Sequence, residues 1–318
     1  MQKIHHVLIG TLLACSAMIA CKKNQVIPTP EADDQLSISG KLNHYFEDQI
    51  QQFSVEASLS TVLYGSQGTR IELSGNNFAD ASGNPLTGNV DIQLAEIYTP
   101  VQMILTKKVT LGNNGGANEI IGSGGEFMIT VTQNGNPVNI INPVNVSTAP
   151  SNSFVPNMEL FNGDVDGDGN VIWTLDNTAT ITNVMDSISQ QYYYQYLFYG
   201  DFDWINCDYF WSSTGPQTTC SVTVPSGYDD TNTICYVVFT SDNAVANFSN
   251  YNAGVFSPGN YTLPEGLSAH FVLIADINGQ LQCAIQQSTI TTNHNVTFTS
   301  LTDVGSMTEL ESILEAAL

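Results

Sequence analysis

Residues 68–138 decide the fold of this chain, and they read GTRIELSGNNFADASGNPLTGNVDIQLAEIYTPVQMILTKKVTLGNNGGANEIIGSGGEFMITVTQNGNPV. Two runs within them, Val90–Leu94 and Phe127–Val131, alternate apolar and polar side chains. Alternation with a period of two places one set of side chains on a buried face and the other in water, as in a half-buried β-strand. Clusters of Gly, Asn and Pro around the runs supply the turns. The stretch therefore predicts an antiparallel β-sandwich.

The alternating pattern continues through the rest of the chain, and its 318 residues are enough for about two domains. We predict an all-β protein with two β-sandwich-like antiparallel domains, covering residues 36–185 and 190–318. A polar junction without strand alternation, near Asn183–Ser189, separates them. Ser306 and Glu309 have the spacing of a capping box, and an apolar stripe follows them, so one short C-terminal helix is predicted.

Two strand pairs are predicted in the second domain. Ser221–Val224 and Ile234–Phe239 flank a polar loop and are expected to pair with each other. His270–Ala275 and Gln282–Ile285 flank the dipeptide Asn278-Gly279, which is a strong hairpin-turn signal. Both pairs indicate antiparallel neighbours within a sheet.

The first 20 residues are a targeting segment rather than part of the fold. A short basic head precedes an apolar run that is shorter than the roughly 20 residues of a membrane-spanning helix, which favours a signal peptide. The sequence Met18-Ile19-Ala20-Cys21 fits a bacterial lipobox, so we expect a lipid on the Cys21 sulfur. Residues 21–35 are polar and contain Pro, as expected of a lipid-anchored linker. The alternative is an ordinary secreted protein that is cleaved at another position.

The segment from Gly68 to Leu94, with its Asn-Asn-Phe-Ala and Gly-Asn-Pro turns, resembles a ZU5-type β-sandwich module. Ser123–Ile129, Met158–Trp173 and Trp204–Phe210 are similar to segments of uncharacterised Bacteroidota envelope lipoproteins that contain such a module. The resemblance implies a ZU5-like architecture and a place in the cell envelope, as an outer membrane lipoprotein on either its periplasmic or its surface side. It implies no particular chemistry.

The charge of the chain is strongly acidic and unevenly distributed. Seven Lys and Arg oppose 30 Asp and Glu, which gives a formal net charge of −23, and every basic residue lies in the first 108 positions. A nucleic-acid site needs Lys and Arg to neutralise phosphates, so we expect no nucleic-acid partner. Such a surface is either a plain solubilising one or one that attracts divalent cations.

The densest group of carboxylates is a candidate Ca²⁺ site formed by Asp164, Asp166, Asp168 and Asn170. Carboxylates at positions one, three and five and Gly at position six follow the opening of a calcium-binding loop. Position twelve is Leu175, where such loops use a bidentate Glu. The alternative is a plain Asp-Gly-Asn hairpin turn.

Four of the six cysteines remain after the signal peptide and the lipid site are set aside, and they are Cys207, Cys220, Cys235 and Cys283. An exported protein meets an oxidising compartment, so we predict at least one disulfide, and four cysteines allow three pairings. Cys220 and Cys235 flank one loop about symmetrically and could face each other across a hairpin, which would leave Cys207 with Cys283. The alternative is free, buried thiols.

An aromatic group, Trp204, Tyr209 and Trp211, is a candidate ligand platform on which sugar rings could stack. Core packing is the alternative, because aromatic side chains bury the largest areas. Asp201 and Asp203 with Asp208 could in turn serve as an acid pair of the glycosidase kind.

The sequence lacks the HExxH and GxSxG motifs and a Gly-rich phosphate loop. We therefore predict a lipid-anchored, non-enzymatic envelope protein that acts as a surface binding or assembly module. Its partners would be the membrane, through the lipid, and an unknown envelope protein or glycan. The alternatives are a carbohydrate-binding or carbohydrate-active surface protein that uses the Trp204–Trp211 region, and a purely structural spacer.

Overall fold

The computed structural model describes residues 37–114, 116–149, 154–166, 169–187, 190–198, 203–210 and 215–318. The predicted signal peptide, Cys21 and the linker lie outside the described residues, as do Asp168, Asp201 and Trp211. The described residues belong to one compact unit, Asp33–Leu318.

Strands dominate the described residues, and three α-helices accompany them. The helices are α1 Ile38–Asp48, α2 Pro100–Thr106 and α3 Met307–Ala317. The strands before residue 211 are β1 Gln51–Glu56, β2 Thr61–Tyr64, β3 Arg70–Leu73, β4 Phe78–Ala79, β5 Asn89–Ile97, β6 Leu111–Asn114, β7 Ala117–Gln133, β8 Asn136–Pro137, β9 Asn139–Ile140, β10 Val144–Thr148, β11 Glu159–Val165, β12 Val171–Leu175, β13 Ile181–Met185, β14 Tyr192–Phe198 and β15 Trp204–Phe210. The later strands are β16 Gln217–Thr218, β17 Cys220–Thr223, β18 Thr233–Phe239, β19 Ala244–Asn247, β20 Asn250–Asn252, β21 Val255–Ser257, β22 Leu263–Pro264, β23 Ser268–Ile277, β24 Gln280–Thr289, β25 His294–Thr297 and β26 Thr302–Val304.

The largest sheet has eight strands, in the order β1-β5-β7-β15-β11-β12-β6, with β8 added to β7. Strand β6 pairs with β7 as well as with β12, so β7, β15, β11, β12 and β6 close a ring of strands. The two runs that decide the fold are antiparallel neighbours in this sheet, with Leu94 opposite Ile129 and Ile92 opposite Val131. All four of these side chains are buried, which confirms the predicted alternation.

A five-stranded sheet, in the order β13-β14-β10-β3-β2, packs against the first one. Their shared core contains Val146 and Tyr196 from the five-stranded sheet and Leu94 and Ile129 from the eight-stranded sheet. Short strands β4 and β9 form a separate pair beside them. This layered packing forms the first sandwich.

The strands after residue 215 build a second sandwich. A four-stranded sheet, β20-β21-β17-β25, faces a five-stranded sheet, β19-β18-β23-β24-β26, and β16 pairs with β22. Val222 and Val296 from one sheet share a buried core with Val237 and Phe271 from the other. The hairpin predicted at Asn278-Gly279 is confirmed, because β23 and β24 pair on both sides of it and both turn residues have positive φ.

The predicted C-terminal helix is confirmed, whereas α1 and α2 were not predicted. Ser306 caps α3 by accepting a hydrogen bond from the Glu309 amide, 3.1 Å long. Helix α2 has a complete capping box between Thr99 and Gln102, with Pro100 in its first turn. These residues are a clear start signal, but only seven residues follow in the helix, too few to show an apolar stripe.

Helix α1 is fastened to the C-terminal part of the fold by polar contacts of Lys41 and Tyr45. Lys41 Nζ lies 2.8 Å from a carboxylate oxygen of Asp276, and both side chains are buried. The Tyr45 hydroxyl donates a 2.6 Å hydrogen bond to the carboxylate of Glu311 in α3. The chain segment that follows the predicted linker is therefore held by the C-terminal part of the fold.

The fold class is confirmed as all-β, with three differences in detail. The predicted pairing of Ser221–Val224 with Ile234–Phe239 is wrong, because β17 and β18 belong to the two facing sheets of the second sandwich. Two strand pairs, β6 with β12 and β17 with β25, are parallel. Strands β14 and β15, which follow the predicted junction, pair with β10 and β7, so the first sandwich extends to Phe210.

Candidate functional site

The β13–β14 hairpin carries an unusual number of exposed apolar side chains. Of the nine large apolar side chains that are exposed among the described residues, four lie on this hairpin, namely Val184, Met185, Tyr192 and Leu197. Leu197 is 47% exposed, although its strand neighbours Tyr196 and Phe198 are buried. By strand register, Val184 shares the outer face of the hairpin with Leu197, whereas Met185 and Tyr192 lie on the opposite face. An exposed apolar side chain beside a groove is a feature of interaction sites. We call Leu197 and the groove beside it the hairpin surface.

Two cavities flank Leu197 and meet at a common wall formed by Thr178, Ala179 and Leu197. The first has a volume of about 270 Å³ and is lined by Leu160, Asn162, Gly163, Asp164, Asp176, Phe198, Asp203 and Trp204 in addition to the common wall. The second has a volume of about 430 Å³ and adds Asn145, Thr180, Thr182, Gln195 and Tyr196. Together they form a groove whose walls mix carboxylates, amides, hydroxyls and apolar groups.

Strand register explains why polar groups line the second cavity. Leu197 lies opposite Asn145 of β10, and Gln195 lies opposite Thr182 of β13. Side chains at directly opposed positions point to the same face of a sheet. Since Tyr194 and its alternate neighbours point into the core, this second set points outward and forms the floor of the groove.

Carboxylates give the first cavity its electrostatic character. Burial raises the pKa of Asp203, and the nearby charge of Asp164 raises it further. Asp176 is committed to its own turn, since it accepts hydrogen bonds from the amide and hydroxyl of Thr178 and from the amide of Ala179. No basic residue lines either cavity. The groove therefore favours neutral or cationic groups over anions.

The basic side chains of the described residues are mostly internal. Lys41, Lys107 and Lys108 are at most 6% exposed, and Arg70 pairs with Glu72 at 2.7 Å. Lys108 Nζ donates to the Gly169 carbonyl at 2.7 Å and lies over the rings of Phe46 and Trp204. Burial lowers the pKa of Lys108 to about 8.

A buried polar cluster lies on β7 and β15. Glu126 is opposite Asn206, and the Asn206 amide donates to the Asp208 carboxylate. Burial raises the pKa of Glu126 well above its usual range, and the charge of Asp208 adds to this shift. Neither carboxylate oxygen of Glu126 has a hydrogen-bond partner among the described atoms. Glu126 was not predicted as a buried residue, because the alternation of apolar and polar residues in β7 assigns its position to the exposed face.

The predicted aromatic platform is only partly within the described residues. Trp204 is 5% exposed and packs against Phe46 and Trp173, with ring centroids 5.4 and 6.3 Å away. Its ring is therefore core packing, and it presents no open face to a sugar. Tyr209 is half-buried on the opposite side of β15, and Trp211 lies outside the described residues.

The predicted calcium loop forms the turn of the β11–β12 hairpin. The Asp166 amide donates to the Asn170 carbonyl at 2.9 Å, and the Asn170 amide donates back to the Asp166 carboxylate at 2.9 Å. The same two bonds, with the same lengths, join Asp80 and Asn84 in an earlier turn without clustered carboxylates.

The twin turns show that this geometry does not require clustered carboxylates. Gly169 and Gly83 both have a φ of +83°, which explains the shared Asp-x-x-Gly-Asn sequence. Asp164 lies outside this turn and lines the first cavity, and Asp168 is not described. No group of three or more His, Cys, Asp or Glu among the described residues could hold a metal ion.

The four candidate disulfide cysteines are buried and have free thiols in this structure. Cys207 packs with Met158 and Tyr194 in a small cluster of its own. Cys220, Cys235 and Cys283 belong to the large core that includes the second sandwich. Cys207 therefore does not share a core with the other three.

Sequence reasoning also missed the groove itself. Its parts come from β10, β11, β14, β15 and the loop before β13, which are distant in sequence. One signal was available, because Leu197 occupies a solvent-facing position in a strand whose alternate residues are aromatic.

The chain matches no known protein-family model, no curated protein and no solved structure. Within the described residues, no helix has the length and apolar character required to cross a membrane.

Proposed function

We propose that this chain is a non-enzymatic binding module of the cell envelope, attached to the outer membrane through a lipid on Cys21. Its hairpin surface would hold an extended polypeptide segment of an envelope partner protein. The observation that carries the proposal is Leu197, which is 47% exposed where the two cavities of the groove meet. An apolar side chain surrounded by polar groups is the usual composition of a protein-binding patch.

The groups around Leu197 suit a polypeptide backbone. The side-chain amides of Asn145 and Gln195 line the second cavity, and an amide side chain has both donors and an acceptor, as the peptide groups of an extended segment require. The Gln195 amide already donates one hydrogen bond to the Ser147 hydroxyl, and the Asn145 amide oxygen is buried, so Gln195 is the main acceptor for such a segment. An apolar side chain of that segment would pack against Leu197 and Ala179. Hydrogen bonding between the backbone of an extended peptide and the polar walls of a groove is a recurring mode of peptide recognition.

The charge of the groove limits which polypeptide segments it can bind. Asp164 and Asp203 line one end, and no basic residue lines the groove. A segment with Lys or Arg near that end would be favoured, whereas a phosphorylated or acidic segment would be repelled. A nucleic acid is disfavoured for the same reason.

A carbohydrate-active protein is the second candidate, and Asp203 is the observation that favours it. Its raised pKa beside the charge of Asp164 is the pattern of an acid paired with a carboxylate base. Our proposal predicts no turnover on a panel of oligosaccharides, esters and peptides. Turnover that is lost in Asp203→Asn would replace the binding proposal with the enzymatic one.

Selection from a displayed library of random peptides tests the binding proposal. We expect wild-type protein to enrich peptides with apolar and basic residues, and Leu197→Glu to lose them. Leu59→Glu is the matched control, because Leu59 is 62% exposed and lies on the β1–β2 turn. A panel of neutral oligosaccharides is the parallel probe. Binding of oligosaccharides without peptide enrichment would contradict a polypeptide partner.

A further inference from the structure

Cys220 and Cys235 belong to facing sheets of the second sandwich. Cys220 begins β17 in the four-stranded sheet, and Cys235 lies within β18 in the five-stranded sheet. Both side chains point into the core between the sheets, with 3% and 0% of their residue surface exposed. They are therefore opposed across two layers, rather than along one hairpin.

Tyr261 marks the place where the two thiols approach each other. The hydroxyl of Tyr261 donates a 2.7 Å hydrogen bond to the carbonyl of Asn247, on the strand beside β18. Burial raises the pKa of this hydroxyl, and the charges of Cys235 and Cys220 add to the shift; burial likewise raises the pKa of Cys235, and Cys220 adds to it. The two sulfurs thus lie within electrostatic range of one another and of one common neighbour.

A cavity reaches one member of this pair, Cys220. It has a volume of about 550 Å³, and Cys220 and Tyr261 form part of its wall, together with Thr219, Ser257 and Asn260. Cys235 does not line the cavity and is fully buried. A small disulfide reagent can therefore reach Cys220 first.

The other two cysteines are placed differently. Cys207 belongs to a separate cluster, and Asp208 is the nearby charge that adds to the effect of burial on its pKa. Cys283 lies on β24, where burial alone raises its pKa to about 12. Neither residue lines the cavity. The pairing of Cys207 with Cys283 is therefore disfavoured.

We propose that Cys220 and Cys235 form an inter-sheet disulfide and that Cys220 is the entry point for the oxidant. A Cys220 thiolate attacks a sulfur of a small disulfide, forming a mixed disulfide and releasing one thiol. Cys235 then attacks the Cys220 sulfur, which forms the protein disulfide and releases the second thiol. The protein loses two electrons and two protons, and the reagent is reduced to two thiols.

Burial sets the conditions of the reaction. It raises the pKa of Cys220 to about 12 and that of Cys235 well above its usual range, so little thiolate exists near neutral pH. Only the thiolate attacks a disulfide, so oxidation should be slow and should accelerate as the solution becomes alkaline. Thiols on an exposed loop would react fast at neutral pH.

The experiment treats the full-length chain with cystamine at mildly alkaline pH and maps the linked peptides by mass spectrometry. We expect a Cys220–Cys235 link and a melting temperature about 5–10 °C higher after oxidation. Cys235→Ala should stop at a cysteamine mixed disulfide on Cys220, and Cys220→Ala should form neither product. Cys207→Ala and Cys283→Ala, the matched controls, should form the link as wild type does.

Two results would overturn the proposal. One is a link that contains Cys207 or Cys283. The other is a cysteamine adduct on Cys220 of the wild-type protein that never resolves, or no reaction at Cys220 in any variant. Circular dichroism of each Ala variant shows whether it still folds, so that loss of fold is not mistaken for loss of thiol reactivity.

Discussion

The side-chain amide of Asn206 donates a 2.5 Å hydrogen bond to the carboxylate of Asp208, within a core where both residues are fully buried. Glu126 lies opposite Asn206 on the neighbouring strand, and its carboxylate oxygens have no described partner. Two buried acids thus share one neighbourhood but only one of them is hydrogen-bonded. Burial raises the pKa of both carboxyls; hydrogen bonds oppose the shift at Asp208, and the charge of Lys108 opposes it at Glu126. Because no hydrogen bond stabilises its charged form, Glu126 is the acid that holds a proton more strongly.

Glu126 makes the stability of the fold depend on pH. The usual pKa of its carboxyl is 4.5, and burial raises it in the folded state. Between these two pKa values the folded protein binds the extra proton, so stability decreases as the pH rises, by up to about 1.4 kcal/mol per pH unit. The contribution is fully present below the unfolded pKa and is lost as the pH passes the folded one.

Glu126→Gln should therefore flatten the pH dependence of the free energy of unfolding and be the more stable protein in alkaline solution. Urea unfolding at a series of pH values measures this. Glu119→Gln is the control, because Glu119 lies on an exposed part of the same strand. Parallel curves for wild type and Glu126→Gln would show that Glu126 is ionised in the folded state.

Lys41 and Asp276 should contribute strongly to the attachment of α1. Lys41→Met leaves the buried Asp276 carboxylate without its cation, which costs about 3–5 kcal/mol of stability. Replacing both residues, as Lys41→Met with Asp276→Leu, should recover much of that loss. A double-mutant cycle in urea measures the coupling, and additive effects would show that the pair contributes nothing specific.

Binding of Ca²⁺ at Asp164–Asn170 remains a prediction, and a thermal melt can test it. A weak site of the kind found in extracellular modules would raise the melting temperature by about 2–6 °C in millimolar calcium relative to chelator. Asp166→Asn with Asp168→Asn should remove the shift, whereas Asp80→Asn in the twin turn should leave it. A melt that calcium does not change would assign the loop to the plain hairpin turn.

Attachment to the membrane depends on Cys21 in our account. The protein with Cys21→Ser should take up no labelled palmitate and should enter the aqueous phase on detergent partition, because the sulfur that carries the lipid is gone. Cys15→Ser, the control within the signal segment, should be labelled as wild type is. Membrane retention of the Cys21→Ser protein would place the anchor elsewhere.

Local signals in the sequence predicted the parts of the fold that depend on neighbouring residues. The Asn278-Gly279 turn, the Ser306 cap of α3 and the alternation of β5 and β7 were each confirmed, because one short segment decides each of them. The partners of β17 could not be predicted in this way. Consecutive strands of a sandwich can pair with each other or cross to the facing sheet, and their side-chain alternation is the same in both cases.

The hairpin surface is even harder to predict from the sequence than the pairing of β17. The exposure of Leu197 depends on Asn145 and Thr178, which only the folded chain brings beside it. The burial of Trp204 depends on Phe46 in α1, some 160 positions earlier in the sequence. An aromatic residue on a strand therefore fitted a ligand platform and a core position equally well until its distant neighbour was known.

The most direct test of the central claim is the affinity of a library-selected peptide for three proteins, measured by fluorescence anisotropy. We predict that Leu197→Glu weakens binding by about tenfold or more, equivalent to about 1.4 kcal/mol, because a charge replaces the apolar centre of the groove. Leu59→Glu should bind as wild type does. Equal affinity for all three proteins, or an equal loss in both variants, would contradict the assignment of the hairpin surface as the binding site.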